Sequence, residues 1–192
     1  MRHPVERNVL LGVTGGIAAY KAADIIGALR KNDFDVKVIM TEKSKEFITP
    51  LTLSTLSKHP VYDDSAEWSS NGHIEHIELS QWAKYFLIAP ATANTIAKLV
   101  EGKADNLLTS AYLAYNFHFS TNNFVVICPA MNTNMYNDQT TFKNIQKLSN
   151  KSNHIIIDPV EGLLACGATG IGKLASTRSI VEKICYIHKE TA

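Results

Sequence analysis

A chain of 192 residues is sized for one domain around a sizeable core. Nineteen Lys and Arg stand against eighteen Asp and Glu, a formal charge of +1, so no net field draws the chain to nucleic acid or to an anionic membrane. With 45% apolar and 19% charged residues it is neither a disordered nor a highly solvated sequence, which leaves small-molecule chemistry as the leading class.

Asn8–Val13 (NVLLGV) is a near-continuous apolar run, the pattern of a parallel strand buried on both faces. After the turn Thr14-Gly15-Gly16, apolar residues Ile17, Ala18, Ala22, Ile25, Ile26 and Leu29 recur at helical spacing and predict a helix ending at Lys31. A second strand is predicted over 35–40, then others over 85–89, 124–128 and 154–157, about five in all. Helices are predicted over 50–57, 93–100, 106–114, 138–148 and 177–187.

Alternating strands and helices imply an α/β doubly wound parallel sheet with right-handed crossovers, and ligands then bind beyond the carboxyl ends of the strands. The site is therefore expected in the loops 14–16, 41–44, 90–95 and 129–134. No repeat, low-complexity tract or Pro/Ser-rich linker divides the chain, so a single domain over 1–192 is expected. Two segments break the regularity. Residues 63–72 are polar and turn-rich, and 158–174 place Gly162, Gly167, Gly170 and Gly172 around Cys166, as expected of a flexible substrate lid.

Gly12–Lys21 (GVTGGIAAYK) sets two glycines between a strand and a helix N-terminus, where free N–H groups and the helix dipole attract a phosphate. The spacing is neither G-x-G-x-x-G nor a P-loop, and a tight turn without a ligand is the competing reading. Pro90–Thr95 (PATANT) opens a second helix with Thr92, Asn94 and Thr95, and Pro129–Tyr136 (PAMNTNMY) follows the next strand. Asn132 there donates and accepts without adding charge, which suits a ligand amide or carboxylate.

His73 and His76 stand three apart, so zinc is one reading, but no third ligand with clear spacing accompanies them. A single histidine as general base is another, and a histidine with no chemical role a third. Of the cysteines, Cys128 ends an apolar strand, Cys185 lies in the last helix, and Cys166 sits in the glycine-rich segment where a thiol is reachable. An odd number without paired spacing argues against disulfides and predicts a reducing, cytoplasmic setting. No signal sequence is expected in the first eight residues, and no apolar stretch approaches a membrane span.

Taken in order, TGGIAAYK, HIEL, PATANTIAK, PAMNTNMY and LACGATGIGKL make the chain similar, over about 8–187, to the flavin-dependent cysteine decarboxylases. Within that family the resemblance is strongest to the enzymes that decarboxylate phosphopantothenoylcysteine in coenzyme A biosynthesis. The resemblance implies a flavodoxin-like fold, FMN as cofactor and a homotrimer, or an assembly of trimers, with the flavin near a subunit interface. Gly15, Gly16 and Ile17 would then meet the FMN phosphate region, with Thr41, Ser44, Thr92, Ala93, Asn94, Thr95, Ala130 and Met131 completing the flavin site.

By the same resemblance His76 is the catalytic base, Asn132 binds and orients the substrate carboxylate, and Cys166 contacts the substrate and donates a proton; no metal is implied. The chemistry implied runs through a thioaldehyde and an ene-thiol. Tyr136 and Lys173 depart from residues common in relatives, Trp and Arg. The phosphate of the substrate has three candidate partners, Lys21, Lys98 and Lys173. A synthetase that many relatives carry as a fused domain is expected here as a separate polypeptide. Two neighbouring activities compete: a lantibiotic-type peptidyl-cysteine decarboxylase, against which Cys166 argues, and a non-catalytic regulatory relative, against which the trio of His76, Asn132 and Cys166 argues.

Overall fold

The apolar runs form a six-stranded, all-parallel sheet in the computed structural model, which describes residues 7–66, 74–115, 123–165 and 167–191. Its strands are β1 (Asn8–Val13), β2 (Asp35–Met40), β3 (Val61–Tyr62), β4 (Tyr85–Ala91), β5 (Phe124–Pro129) and β6 (His154–Ile156), in the order β3-β2-β1-β4-β5-β6. Eight helices accompany them among the described residues. They are α1 (Ala22–Lys31), α2 (Pro50–Ser57), α3 (Glu75–Trp82), α4 (Ala93–Glu101), α5 (Leu107–Tyr115), α6 (Thr133–Asn137), α7 (Gln139–Ser149) and α8 (Thr177–Thr191).

Because every neighbouring pair in this sheet is parallel, both faces must be covered by crossovers, and the two faces bury different residues of the same strands. Val9, Leu11, Val36, Val38, Tyr85 and Leu87 face α1, α2 and α8. Leu10, Ile39, Phe86, Ile88, Val125 and Ile127 face α3, α4, α5 and α7. Leu10 and Leu11 are adjacent in sequence and both fully buried, one in each core, and each contributes about 1.5–3 kcal/mol of burial.

The second core holds a polar chain. Lys151 Nζ donates to Tyr112 Oη at 2.9 Å, Tyr112 Oη lies 2.7 Å from His154 Nε2, and His154 Nδ1 lies 2.7 Å from Asn153 Oδ1. Asn153 Oδ1 can only accept, so Nδ1 carries the proton and Nε2 accepts from the tyrosine. Burial, and then the Lys151 charge, push the His154 imidazole down to about 4, so it is neutral in the folded chain.

Several elements differ from those predicted. The helix expected from Ile17 begins as a 3-10 turn over Ile17–Lys21, since Gly16 before it offers no side-chain cap. Strand β3, two residues long, carries no period that a sequence could display. Part of the glycine-rich segment is an antiparallel hairpin of β7 (Val160–Leu163) and β8 (Thr169–Lys173), standing apart from the main sheet. No helix of the described residues is long and apolar enough to cross a membrane.

Candidate active site

The winding of the sheet reverses between β1 and β4: from β1 the chain runs out to β2 and β3, and from β4 it runs the other way to β5 and β6. Loops leaving the two strands therefore diverge, and the space above their carboxyl ends stays open. A cleft of about 930 Å³ occupies this place, large enough for a cofactor together with part of a substrate.

Gly15, Gly16 and Ile17 form one wall. A Cβ on Gly15 would lie 2.5 Å from Lys43 Cβ and 2.9 Å from the Lys43 carbonyl carbon, so glycine is what lets the loop after β1 close against the loop after β2. Gly16 has extended backbone and precedes the 3-10 turn, whose leading N–H groups receive no side-chain cap. Thr41 is also in the wall. Ser44 is not: it is fully buried, and its hydroxyl donates to the Thr41 carbonyl at 2.7 Å, holding the turn from behind.

Thr92, Ala93, Asn94 and Thr95 supply the wall beyond β4. Thr92 Oγ1 accepts from Thr95 N–H and caps α4. Thr14, an element of the turn that sequence reasoning did not single out, joins the two walls. Its buried hydroxyl donates to the Pro90 carbonyl at 2.7 Å and accepts from Thr92 N–H at 3.1 Å. Nothing short of the tertiary structure discloses that bridge, because its partners lie 76 and 78 residues away.

Ala130, Met131 and Asn132 close the third side. Asn132 caps α6, its Oδ1 accepting from Asn134 N–H at 2.8 Å, so the amide is held at the cleft wall. Over this side lies the β7–β8 hairpin, which contributes Leu163, Leu164, Ala165, Gly172 and Lys173. Its root is fixed rather than loose: Met131 N–H donates to the Gly172 carbonyl at 3.0 Å, and Gly172 has φ +145°, with a Cβ there falling 2.2 Å from the Met131 carbonyl oxygen. Nothing in the spacing of the glycines around Gly172 signals this contact.

His76 lies in the first turn of α3, half-buried, and is not part of the cleft wall of the single chain. Cys166 and His73 lie outside the described residues, although Ala165, next to the cysteine, lines the cleft. The three candidate lysines all line it, and Lys98 is already paired with Asp105 at 2.7 Å. Among the described residues no group of three His, Cys, Asp or Glu is placed to hold a metal ion. Burial pushes the Cys128 thiol well up, away from reactivity, and Tyr136, hydrogen-bonded to Asp158 at 3.2 Å, faces a second, smaller cavity.

The lining fits a flavin by its chemistry: uncapped N–H groups at one end, uncharged hydroxyls and amides along one wall, and the apolar Ile17 and Met131 beside them. Comparison with known proteins agrees. A flavoprotein family model matches residues 1–188. The chain is 44% identical over 180 residues to the probable phosphopantothenoylcysteine decarboxylase of Streptococcus mutans, a match covering 94% of this chain and 98% of that one. To the coenzyme A biosynthesis bifunctional protein CoaBC of Bacillus subtilis it is 43% identical over 177 residues, 92% of this chain but 42% of the bifunctional protein's length.

Among solved structures, a mutant PPC decarboxylase complexed with pantothenoylaminoethenethiol superposes with a TM-score of 0.86 at 30% identity, over 96% of this chain and 99% of that one. The FMN binding protein AtHal3 superposes with a TM-score of 0.85 at 30% identity, over 97% and 99%.

Proposed function

This chain belongs to the flavoprotein family, and from that premise we propose that it decarboxylates phosphopantothenoylcysteine, with the cleft between β1 and β4 binding FMN and the substrate together. The observation that carries the proposal is the cleft itself: a large opening at the switch point of the sheet, walled by the residues the family resemblance assigns to the flavin, Ser44 excepted.

In this reading the N–H groups after Gly16 hold the FMN phosphate, with Gly15 and Ile17 beside them. Thr41, kept in place by Ser44, and the stretch Thr92, Ala93, Asn94 and Thr95 meet the polar edge of the ring system, while Ala130 and Met131 meet its surface. When bound, the flavin supplies a reversible two-electron acceptor for the thiol-bearing carbon of the substrate.

Two electrons and a hydrogen leave that carbon and the thiol loses its proton, so the substrate becomes a thioaldehyde. The C–COO⁻ bond then breaks, its electron pair enters the C–C–S system, and carbon dioxide and an ene-thiolate result. Return of the hydride to the sulfur-bearing carbon, with one proton added to the neighbouring carbon and one to sulfur, would give 4'-phosphopantetheine with no net oxidation. Asn132 orients the carboxylate for the middle step. His76 accepts the first proton and Cys166 supplies the last.

His76 lies outside the cleft wall of one chain, which favours a trimer in which a neighbouring subunit's α3 completes the site. A cytoplasmic setting completes the proposal. The test is anaerobic incubation of the purified yellow protein with phosphopantothenoylcysteine, following flavin absorbance and product mass. Loss of carbon dioxide, a fully reduced thiol product and re-oxidised flavin are expected; accumulation of reduced flavin with an ene-thiol would replace this reading with the lantibiotic-type reaction.

A further inference from the structure

We infer that Lys21 and Lys173 together form the subsite for the terminal phosphate of the substrate, an assignment that rests on the substrate reading above. On the cleft wall Lys43 is paired with Glu46 at 2.9 Å and Glu42 with Lys45 at 2.5 Å, both near the loop after β2. Lys98 and Asp105 neutralise one another at 2.7 Å, and the Asp64 carboxylate accepts from Leu107 N–H at 2.9 Å at the start of α5. Of the cations lining the cleft, Lys21 and Lys173 are the two that make no ion pair among the described residues, and Asp64, the one carboxylate there without an ion pair, is engaged by the Leu107 N–H.

These two come from different walls. Lys21 ends the 3-10 turn that follows Gly16, and Lys173 ends β8 beside Gly172, whose bond to Met131 fixes that strand over the cleft. Both line the same cleft. Burial lowers the Lys21 ammonium below its ordinary value, and the Lys173 charge lowers it further, against an opposing effect of Asp24. Two ammonium groups that repel across a cleft are relieved by a dianion placed between them, and a phosphate monoester carries that charge near neutral pH.

Two phosphates compete for such a site, that of FMN and that of the substrate. The uncapped N–H groups at Gly16 lie at the other end of the turn from Lys21, about 10 Å away at the 3-10 rise of ~2 Å per residue. A cofactor phosphate seated at Gly16 leaves the lysine pair, which lies by the hairpin, to the substrate. With Lys98 and Asp105 already paired, the third lysine suggested by the sequence has no comparable charge to offer.

The experiment uses flavin-loaded protein and the variants Lys21→Gln, Lys173→Gln, their double, the corresponding arginine replacements, and Lys103→Gln as a control outside the cleft. Two readouts are taken: the ratio of kcat/KM for phosphopantothenoylcysteine to that for its dephosphorylated form, and calorimetric binding of 4'-phosphopantothenate against pantothenate. Each glutamine variant should lower both selectivities by at least tenfold and the double by more than a hundredfold. The arginine variants should retain most of it, and flavin content should stay at the wild-type level.

Unchanged selectivity in the double variant overturns the assignment, as does loss of flavin with selectivity retained, which would give the lysines to the cofactor phosphate. If the wild-type protein turns over neither compound, the decarboxylase reading fails on its own. The calorimetric comparison then still decides whether the lysine pair holds a phosphate.

Discussion

Replacing Gly172 by alanine tests how the hairpin is held over the cleft. The new methyl would sit 2.2 Å from the Met131 carbonyl oxygen, about an ångström closer than any real contact, at a backbone φ of +145° that an L-residue adopts only with strain. Strain of that kind costs about 1–3 kcal/mol. Relieving the overlap separates β8 from Met131 and breaks the 3.0 Å hydrogen bond from Met131 N–H to the Gly172 carbonyl, a further ~1 kcal/mol.

The sum, about 2–4 kcal/mol, corresponds to a shift of roughly 30- to 1000-fold in the docking equilibrium of the hairpin, since ~1.4 kcal/mol is a factor of ten. Because β7 and β8 form a sheet of their own, the cost falls on local opening and leaves the main sheet intact. Native-state hydrogen exchange reads this directly. Protection of the Met131 amide should fall at least tenfold while amides of β1 and β4 keep theirs, and turnover should drop with flavin retained. Undiminished protection at Met131 would show that the hairpin is not anchored by this contact.

Thr14→Val removes a buried hydroxyl that bridges the loops after β1 and β4; a loss of about 1–3 kcal/mol in urea unfolding and at least a tenfold weaker flavin affinity are expected, and unaltered flavin retention on dialysis would refute the bridging role. His154, held near 4 in the fold against about 6.5 when unfolded, binds fewer protons in the native state between those values. Its contribution is therefore complete above about pH 6.5 and is lost as pH falls toward 4, some 3 kcal/mol in all, and His154→Gln should flatten the fall in urea midpoint between pH 7 and 4.5. Cys166→Ser should stop the reaction at the ene-thiol, detected by product mass, and a full yield of 4'-phosphopantetheine would remove the cysteine from the proton-donor role. His76→Asn should retain flavin yet fail to bleach it anaerobically with substrate; normal bleaching would count against the histidine as base.

The sequence displayed the parts of this fold whose physics is local or periodic. Leu10 and Leu11 announce a strand buried on both faces, and Thr92, following a strand and opening a helix, was legible as a cap at the site, whereas Asn132, read as a ligand contact, proves also to cap α6. What escaped depends on contacts distant in sequence. The hairpin was hidden because Gly162, Gly170 and Gly172 dilute the alternation that marks a strand, and what looks like a loose lid is rooted by one of those glycines. Ser44 reads as a ligand contact until its burial behind Thr41 is known. The three lysines are equivalent as letters, and only the Asp105 partner of Lys98 separates them.

That separation bears on how such a cleft divides its work. A carboxylate that must depart as neutral carbon dioxide is poorly served by a fixed cation, because an ammonium stabilises the charged ground state more than a transition state in which that charge is leaving. In the proposed reading Asn132, anchored through Asn134 N–H, would orient the group by hydrogen bonding without that penalty. The terminal phosphate keeps its charge from start to finish, so cations there strengthen binding equally in ground and transition states and act on KM rather than on the chemical step. A wall of neutral amides and hydroxyls, with lysines that make no ion pair among the described residues set apart by the hairpin, is the charge distribution the proposed reaction calls for. Exchanging the two, by Asn132→Lys, should strengthen carboxylate binding while lowering kcat, the opposite signature to loss of Lys21 or Lys173.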